Sequence, residues 1–161
     1  SVHDSVIGLT MLKSSTYPNP QADRGHHTFS YSFCPHSGDF RKGETVAKAY
    51  MFNNPCSAAV KQEKMEGSFI SQKSLVSVDV PNVVIETVKK AEDSEALIVR
   101  CYECFNRRSQ VTMKLNAEIL HACVVNPLED QVLEELKVSE GTVSFTMKPY
   151  EIRTLRFDVT K

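Results

Sequence analysis

Short runs in which apolar and polar residues alternate are the feature that most narrows what this chain can fold into. In "TFSYSF", Phe29, Tyr31 and Phe33 alternate with Thr28, Ser30 and Ser32, the period of two expected of a strand with one buried face. The signal recurs in "LVSVDV", "NVVIETV", "EALIVRCYEC", "QVTMKLNAEIL", "HACVVN", "TVSFTMK" and "EIRTLRFDV". These runs are rich in Val, Ile, Thr, Phe and Tyr and are separated by polar or Pro-containing breaks. The pattern predicts an all-β chain folded as an antiparallel β-sandwich.

One segment breaks the period. "KGETVAKAYMFNNP" sets Val46, Ala49, Tyr50 and Asn53 at helical spacing, with Asn54-Pro55 as a stop, which predicts a short helix over 43–53. "LEDQVLEELK" is ambiguous: Leu128, Val132 and Leu136 fit a helix, and a strand with an acidic turn fits equally. No repeat or Gly/Ser-rich linker divides the chain, so a single domain is expected over residues 1–161, with residues 1–42 the end of a preceding sandwich layer or a loop region.

Totals bound the function classes. A chain of 161 residues, 41% hydrophobic, supports one core but falls short of the roughly 250 residues of a (β/α)₈ barrel. The 19 basic and 20 acidic residues are interspersed and leave a net charge of −1, so no basic stripe points to nucleic acid or an anionic membrane. No run approaches the ~18 apolar residues of a membrane span, and residues 1–20 lack the features of a secretory signal. Five cysteines, an odd and scattered set, fit a reducing compartment, so a cytoplasmic protein is expected. The opening "SVHDSVIGLT" carries no initiator Met and reads as a cut through a larger protein.

Catalytic and metal motifs are weak. "CYEC" is a C-x-x-C, but it lies in a strand-like run where residues three apart face opposite sides, so Cys101 and Cys104 are expected as one core thiol and one near the surface. His26, His27, His36 and Cys34 match no compact zinc spacing, and no metal site is expected. Glu86, Glu92, Asp93, Glu95, Glu103, Glu118, Glu129 and Glu151 are expected at solvated strand ends and faces. No G-x-S-x-G elbow, phosphate-cradling loop or nucleotide fingerprint is present.

The segment "GLTMLKSSTYPNPQADRGHHTFSYSFCPHSGDFR" resembles the region that follows the catalytic part of family 38 glycoside hydrolases, the α-mannosidases, in their cytosolic and bacterial branch. "AKAYMFNNP", "VVIETVKKAEDSEALIVRCYE", "VNPLED" and "KPYEIRTLRF" resemble further landmarks of the family in the same order. Two departures stand out: "CFNRR" replaces a Gly turn, and Phe40 holds a position often held by Trp. The resemblance implies the carboxy-terminal β-domain of a retaining, exo-acting α-mannosidase. Its zinc ion and carboxylate nucleophile belong to the amino-terminal catalytic domain, so this chain is expected to carry no catalytic residue and no cofactor of its own. The implied partners are that catalytic domain and, through it, mannosides or oligomannose glycans, with no nucleic acid or membrane and with room for a homo-oligomer.

Within that frame one loop is the candidate substrate-binding element. Pro18 and Pro20 are expected to stiffen an extended approach, Gly25 to permit a reversal, and the strand from Phe29 to Phe33 to anchor the far end in the core. Tyr17, Asp23, Arg24 and His26 then sit at the tip, where three polar groups suit sugar hydroxyls and the Tyr17 ring offers a stacking face. An Asp23–Arg24 pair that only ties the loop or a domain interface together is the alternative role. A stand-alone carbohydrate-binding or oligomerisation sandwich is the alternative function, weakened for sugar binding by the absence of Trp.

Overall fold

A computed structural model describes residues 1–59 and 73–160. They form two compact units, Ser1–Ser37 and a second from Gly38 onward.

The first unit has little regular structure. Strands β1 (Val2–His3) and β2 (Val6–Ile7) pair as an antiparallel hairpin, turned by Asp4 and Ser5 at φ 47° and 63°. The expected aromatic strand is not formed. Residues 28–33 carry no strand assignment, and Phe29, Tyr31 and Phe33 are 46%, 72% and 76% exposed rather than anchored in a core. Alternation shows that a segment can present one apolar face to a sheet, but pairing needs a second strand at the right distance. Among the described residues none pairs with this one.

The second unit holds the predicted sandwich. Helix α1 (Thr45–Asn53) matches the expected 43–53 and stops as anticipated: Asn54 N–H donates to the Tyr50 carbonyl at 2.9 Å just ahead of Pro55. Val46 and Tyr50, one turn apart, are its half-buried residues, and the Tyr50 hydroxyl donates to the Glu86 carbonyl at 3.3 Å.

The strands that follow are β3 (Val76–Val78), β4 (Val83–Lys90), β5 (Leu97–Glu103), β6 (Ser109–Leu115), β7 (Ile119–Val125), β8 (Val132–Glu135), β9 (Val138–Ser139), β10 (Thr142–Met147) and β11 (Ile152–Val159). They build a four-stranded sheet in the order β3-β6-β10-β9 and a five-stranded sheet in the order β4-β5-β11-β7-β8, with every pairing antiparallel. "LEDQVLEELK" resolves as a turn followed by β8, and of its three apolar markers only Leu136 is buried.

The core lies between the sheets. Val111 and Met113 of β6 and Val143, Phe145 and Met147 of β10 meet Val99 and Cys101 of β5 and Leu155 and Phe157 of β11. Along β6 the intervening Gln110, Thr112 and Lys114 face away from this core, which is the clean alternation of a sheet solvated on one side. The five-stranded sheet is covered more widely. On β5 the outward Ile98 is fully buried with Ala91 and Ala96 beneath the β4–β5 turn, and no residue of that strand is exposed.

Candidate functional site

The loop that carries the sequence-derived site residues is built from turns, not from the extended approach expected of its prolines. The Tyr17–Pro18 peptide is cis. Asn19 then nucleates a turn: its Oδ1 accepts the Gln21 N–H at 2.9 Å and its carbonyl accepts the Ala22 N–H at 3.1 Å. Asp23 takes φ 56°, and Gly25 at φ 139° supplies the reversal expected of it.

These turns place the four residues differently. Tyr17 is 86% exposed. Arg24 donates through Nη1 to Gln21 Oε1 at 3.0 Å, so its first partner is a neutral side chain of its own loop and not Asp23. The Asp23 carbonyl accepts His27 Nε2–H at 2.8 Å, which closes the loop, and the ring of His27 stacks on Phe29 with centroids 5.9 Å apart. His26 Nε2 lies 3.5 Å from Thr28 Oγ1. Among the described residues the Asp23 carboxylate has no hydrogen-bond partner, and with the Tyr17 ring it forms the unengaged part of the tip.

Sequence reasoning missed the second polar centre, which lies in the sandwich. Glu103 is the last residue of β5 and was expected at a solvated strand end, yet it is 2% exposed. Its Oε1 accepts Asn82 Nδ2–H and the Phe105 N–H, each at 2.8 Å, and its Oε2 accepts the Tyr150 N–H at 2.9 Å. Burial alone would push this carboxyl up. The hydrogen bonds from Tyr150, Asn82, Phe105 and the Arg107 backbone outweigh burial and hold it below the ordinary glutamate value. Asn82 is itself fully buried, and its amide also donates to Ser109 Oγ at 2.9 Å. The signal was present in the sequence, because Val99, Cys101 and Glu103 are two apart and share the core face.

Both departures from the family pattern fall beside this centre and have plain physical roles. Asn106, inside "CFNRR", stands at φ 59°, a left-handed position that glycine fills readily and asparagine tolerates better than other residues. Phe40 packs edge-on against Phe105 with centroids 5.9 Å apart, while the Arg41 guanidinium lies 5.0 Å from the Phe40 ring centre. Nearby, a cleft of about 270 Å³ opens by the helix, lined by Arg41, Val46, Pro81, Val84, Cys104 and Phe105.

The thiols follow the strand geometry. Cys101 is fully buried against Met147, and burial pushes it up to about 12, whereas Cys104 lies beyond the strand end, half-buried, with its thiol directed at the Asn82 carbonyl 3.4 Å away. Among the described residues no three His, Cys, Asp or Glu side chains converge as a metal site. Among the described residues no helix is long and apolar enough to cross a membrane.

Two antiparallel sheets packed face to face, with polar groups gathered in the turns at their ends, define the class of the second unit as a β-sandwich domain. Residues 82–155, which run from the buried Asn82 to the core residue Leu155, match the glycosyl hydrolases family 38 C-terminal beta sandwich domain. It is 30% identical over 155 residues to Alpha-mannosidase G of Dictyostelium discoideum, covering 94% of this chain and 14% of that protein. It is 29% identical over 159 residues to Alpha-mannosidase 2C1 of Homo sapiens, covering 96% of this chain and 15% of the relative. Alpha-mannosidase of Saccharomyces cerevisiae is 25% identical over 178 residues. The chain thus spans about a seventh of the length of the first two relatives.

Proposed function

We propose that this chain acts as the carboxy-terminal β-domain of a retaining α-mannosidase that removes terminal α-D-mannosyl residues in the cytoplasm. The sandwich supports the catalytic domain of the same polypeptide, and the 17–27 loop completes the rim of the mannose pocket. The observation that carries this reading is the reach of the similarity: proteins named as α-mannosidases align along 94–96% of the chain, including the first unit that bears the loop. The chemistry of the tip supports the rim role. An unengaged carboxylate accepts hydrogen bonds from sugar hydroxyls, and an exposed tyrosine ring can lie against the apolar face of a pyranose. Mannosides or oligomannose glycans are the ligands in this reading, and zinc belongs to the catalytic domain.

The test is kinetic and uses the full-length enzyme. Asp23→Ala or Arg24→Ala is expected to lower kcat/KM by ~10 to 100 fold, about 1.4 to 2.7 kcal/mol of lost transition-state binding, with the thermal midpoint near wild type. Unchanged kinetics in both variants, or an activity loss matched by a large fall in stability, would leave the loop a structural element only. The exposed Tyr17 also favours a second reading, a mannose-binding module that acts without a catalytic domain. Saturable binding of methyl α-mannoside by the isolated chain, lost in Tyr17→Ala, would select it.

A further inference from the structure

The β5–β6 and β10–β11 turns are held together by one buried carboxylate, since Glu103 accepts the Phe105 N–H through Oε1 and the Tyr150 N–H through Oε2. The partners that hold this anion are the Asn82 amide and backbone N–H groups of Tyr150, Phe105 and Arg107. Each turn also keeps a non-glycine residue in the left-handed region, Asn106 at φ 59° and Tyr150 at φ 55°. Buried charge and left-handed backbone both cost stability, and together they give two exposed turns a fixed geometry.

What the turns display is unlike the rest of the sandwich. Elsewhere in this unit the arginines face carboxylates: Arg41 lies 3.2 Å from Asp39, Arg100 3.8 Å from Glu129, Arg153 2.9 Å from Glu134 and Arg156 3.4 Å from Asp93. Among the described residues Arg107 and Arg108 face none, and Arg107 reaches only the Asn82 amide oxygen at 3.4 Å. On the adjoining turn Lys148 is exposed, and its ammonium has no carboxylate partner among the described residues; Tyr150 is 62% exposed. The acid nearest in sequence, Glu151, is already engaged by the Lys148 N–H at 2.6 Å and by Arg153 at 3.1 Å.

We propose that this end of the sandwich is a docking surface for an acidic protein surface, in which Arg107 and Arg108 pair with the partner's carboxylates and Tyr150 packs beside them. Arginine presents a planar fork that matches a carboxylate, and arginine and tyrosine are the residue types that dominate binding energy at protein interfaces. A nucleic-acid partner is disfavoured, because the net charge of −1 supplies no general attraction to a polyanion. This surface goes beyond the mannosidase reading and does not depend on it.

The test titrates the ¹⁵N-labelled 161-residue chain with a capped hexaglutamate peptide at low salt. Amide shifts are expected to be largest at 106–109 and 148–151, and to weaken as salt is raised. Arg107→Gln with Arg108→Gln, both at exposed positions, is expected to weaken binding at least tenfold while the remaining spectrum stays in place. Hexaglutamine should give no shifts. Shifts centred on Lys114 or Lys137, or binding unaffected by the double substitution, would overturn the proposal. Saturation of the same turns by inorganic phosphate at equal affinity would make this a free-anion site, and tighter binding of a DNA duplex would make it a nucleic-acid site; either result also overturns it.

Discussion

Glu103 carries a charge into the sandwich without a cation to meet it, and its energetics follow from the donors that replace one. An ionised acceptor gains more from each hydrogen bond than a neutral one, so Glu103→Gln is expected to lower stability by about 2–4 kcal/mol at neutral pH, read from the denaturant midpoint. An unchanged midpoint would mean that the turns are held by other contacts. The pH dependence has a definite sign. Because the folded carboxyl sits below its ordinary value of 4.5, its contribution is complete above that value and is lost as pH falls through the folded one, so the gap between wild type and Glu103→Gln should close in acid. His121 has the opposite sign. Its Nε2 bond to Glu135 at 2.7 Å does most to raise it above 6.5, against a burial effect, and the charges of Glu135 and Asp158 add to the rise. Its stabilisation is complete below 6.5 and is lost as pH rises through the higher folded value. Thermal midpoints of wild type and His121→Gln are therefore expected to differ most in mild acid and to converge toward alkaline pH; a constant difference would show that the ion pairs on this exposed face contribute nothing.

At the scale of elements, β11 is the member on which the five-stranded sheet depends, since it lies between β5 and β7 and sends Leu155 and Phe157 into the core without exposure. Phe157→Ala should cost about 3–5 kcal/mol, because the facing β6 and β10 side chains cannot collapse into so large a void. A loss under about 1 kcal/mol would mean that the sheets close around the cavity. Strands of this kind were legible in the sequence because Val, Ile and Phe recur at every second position and the turns between them are polar. The helix was legible because Val46 and Tyr50 fall one turn apart ahead of Asn54-Pro55. "TFSYSF" shows the limit of the same reasoning: the period describes the faces of a segment, whereas a strand also requires a partner. "LEDQVLEELK" shows another limit, because apolar residues four apart cannot separate a helix from a turn and a short edge strand when only Leu136 reaches the core.

For the whole molecule, the likeness to family 38 α-mannosidases was legible through ordered landmarks along the chain, while the geometry of the candidate site was not. The residues at 17–26 were named correctly as a loop around Gly25, yet the Arg24–Gln21 bond and the Asn19 turn are local choices among hydrogen-bond partners that sequence leaves nearly equivalent. The buried Glu103 clasp lay hidden for a similar reason, because two of the donors that satisfy it, Asn82 and Tyr150, lie far from it in sequence. The central claim is that this chain is one domain of an α-mannosidase whose chemistry lies elsewhere in the polypeptide. Hydrolysis of p-nitrophenyl α-D-mannoside by the full-length polypeptide and by the 161-residue chain, with zinc supplied to both, tests it most directly. Turnover by the full-length protein and none by the chain alone is the expected result; an inactive full-length protein, or turnover by the purified chain, would contradict it.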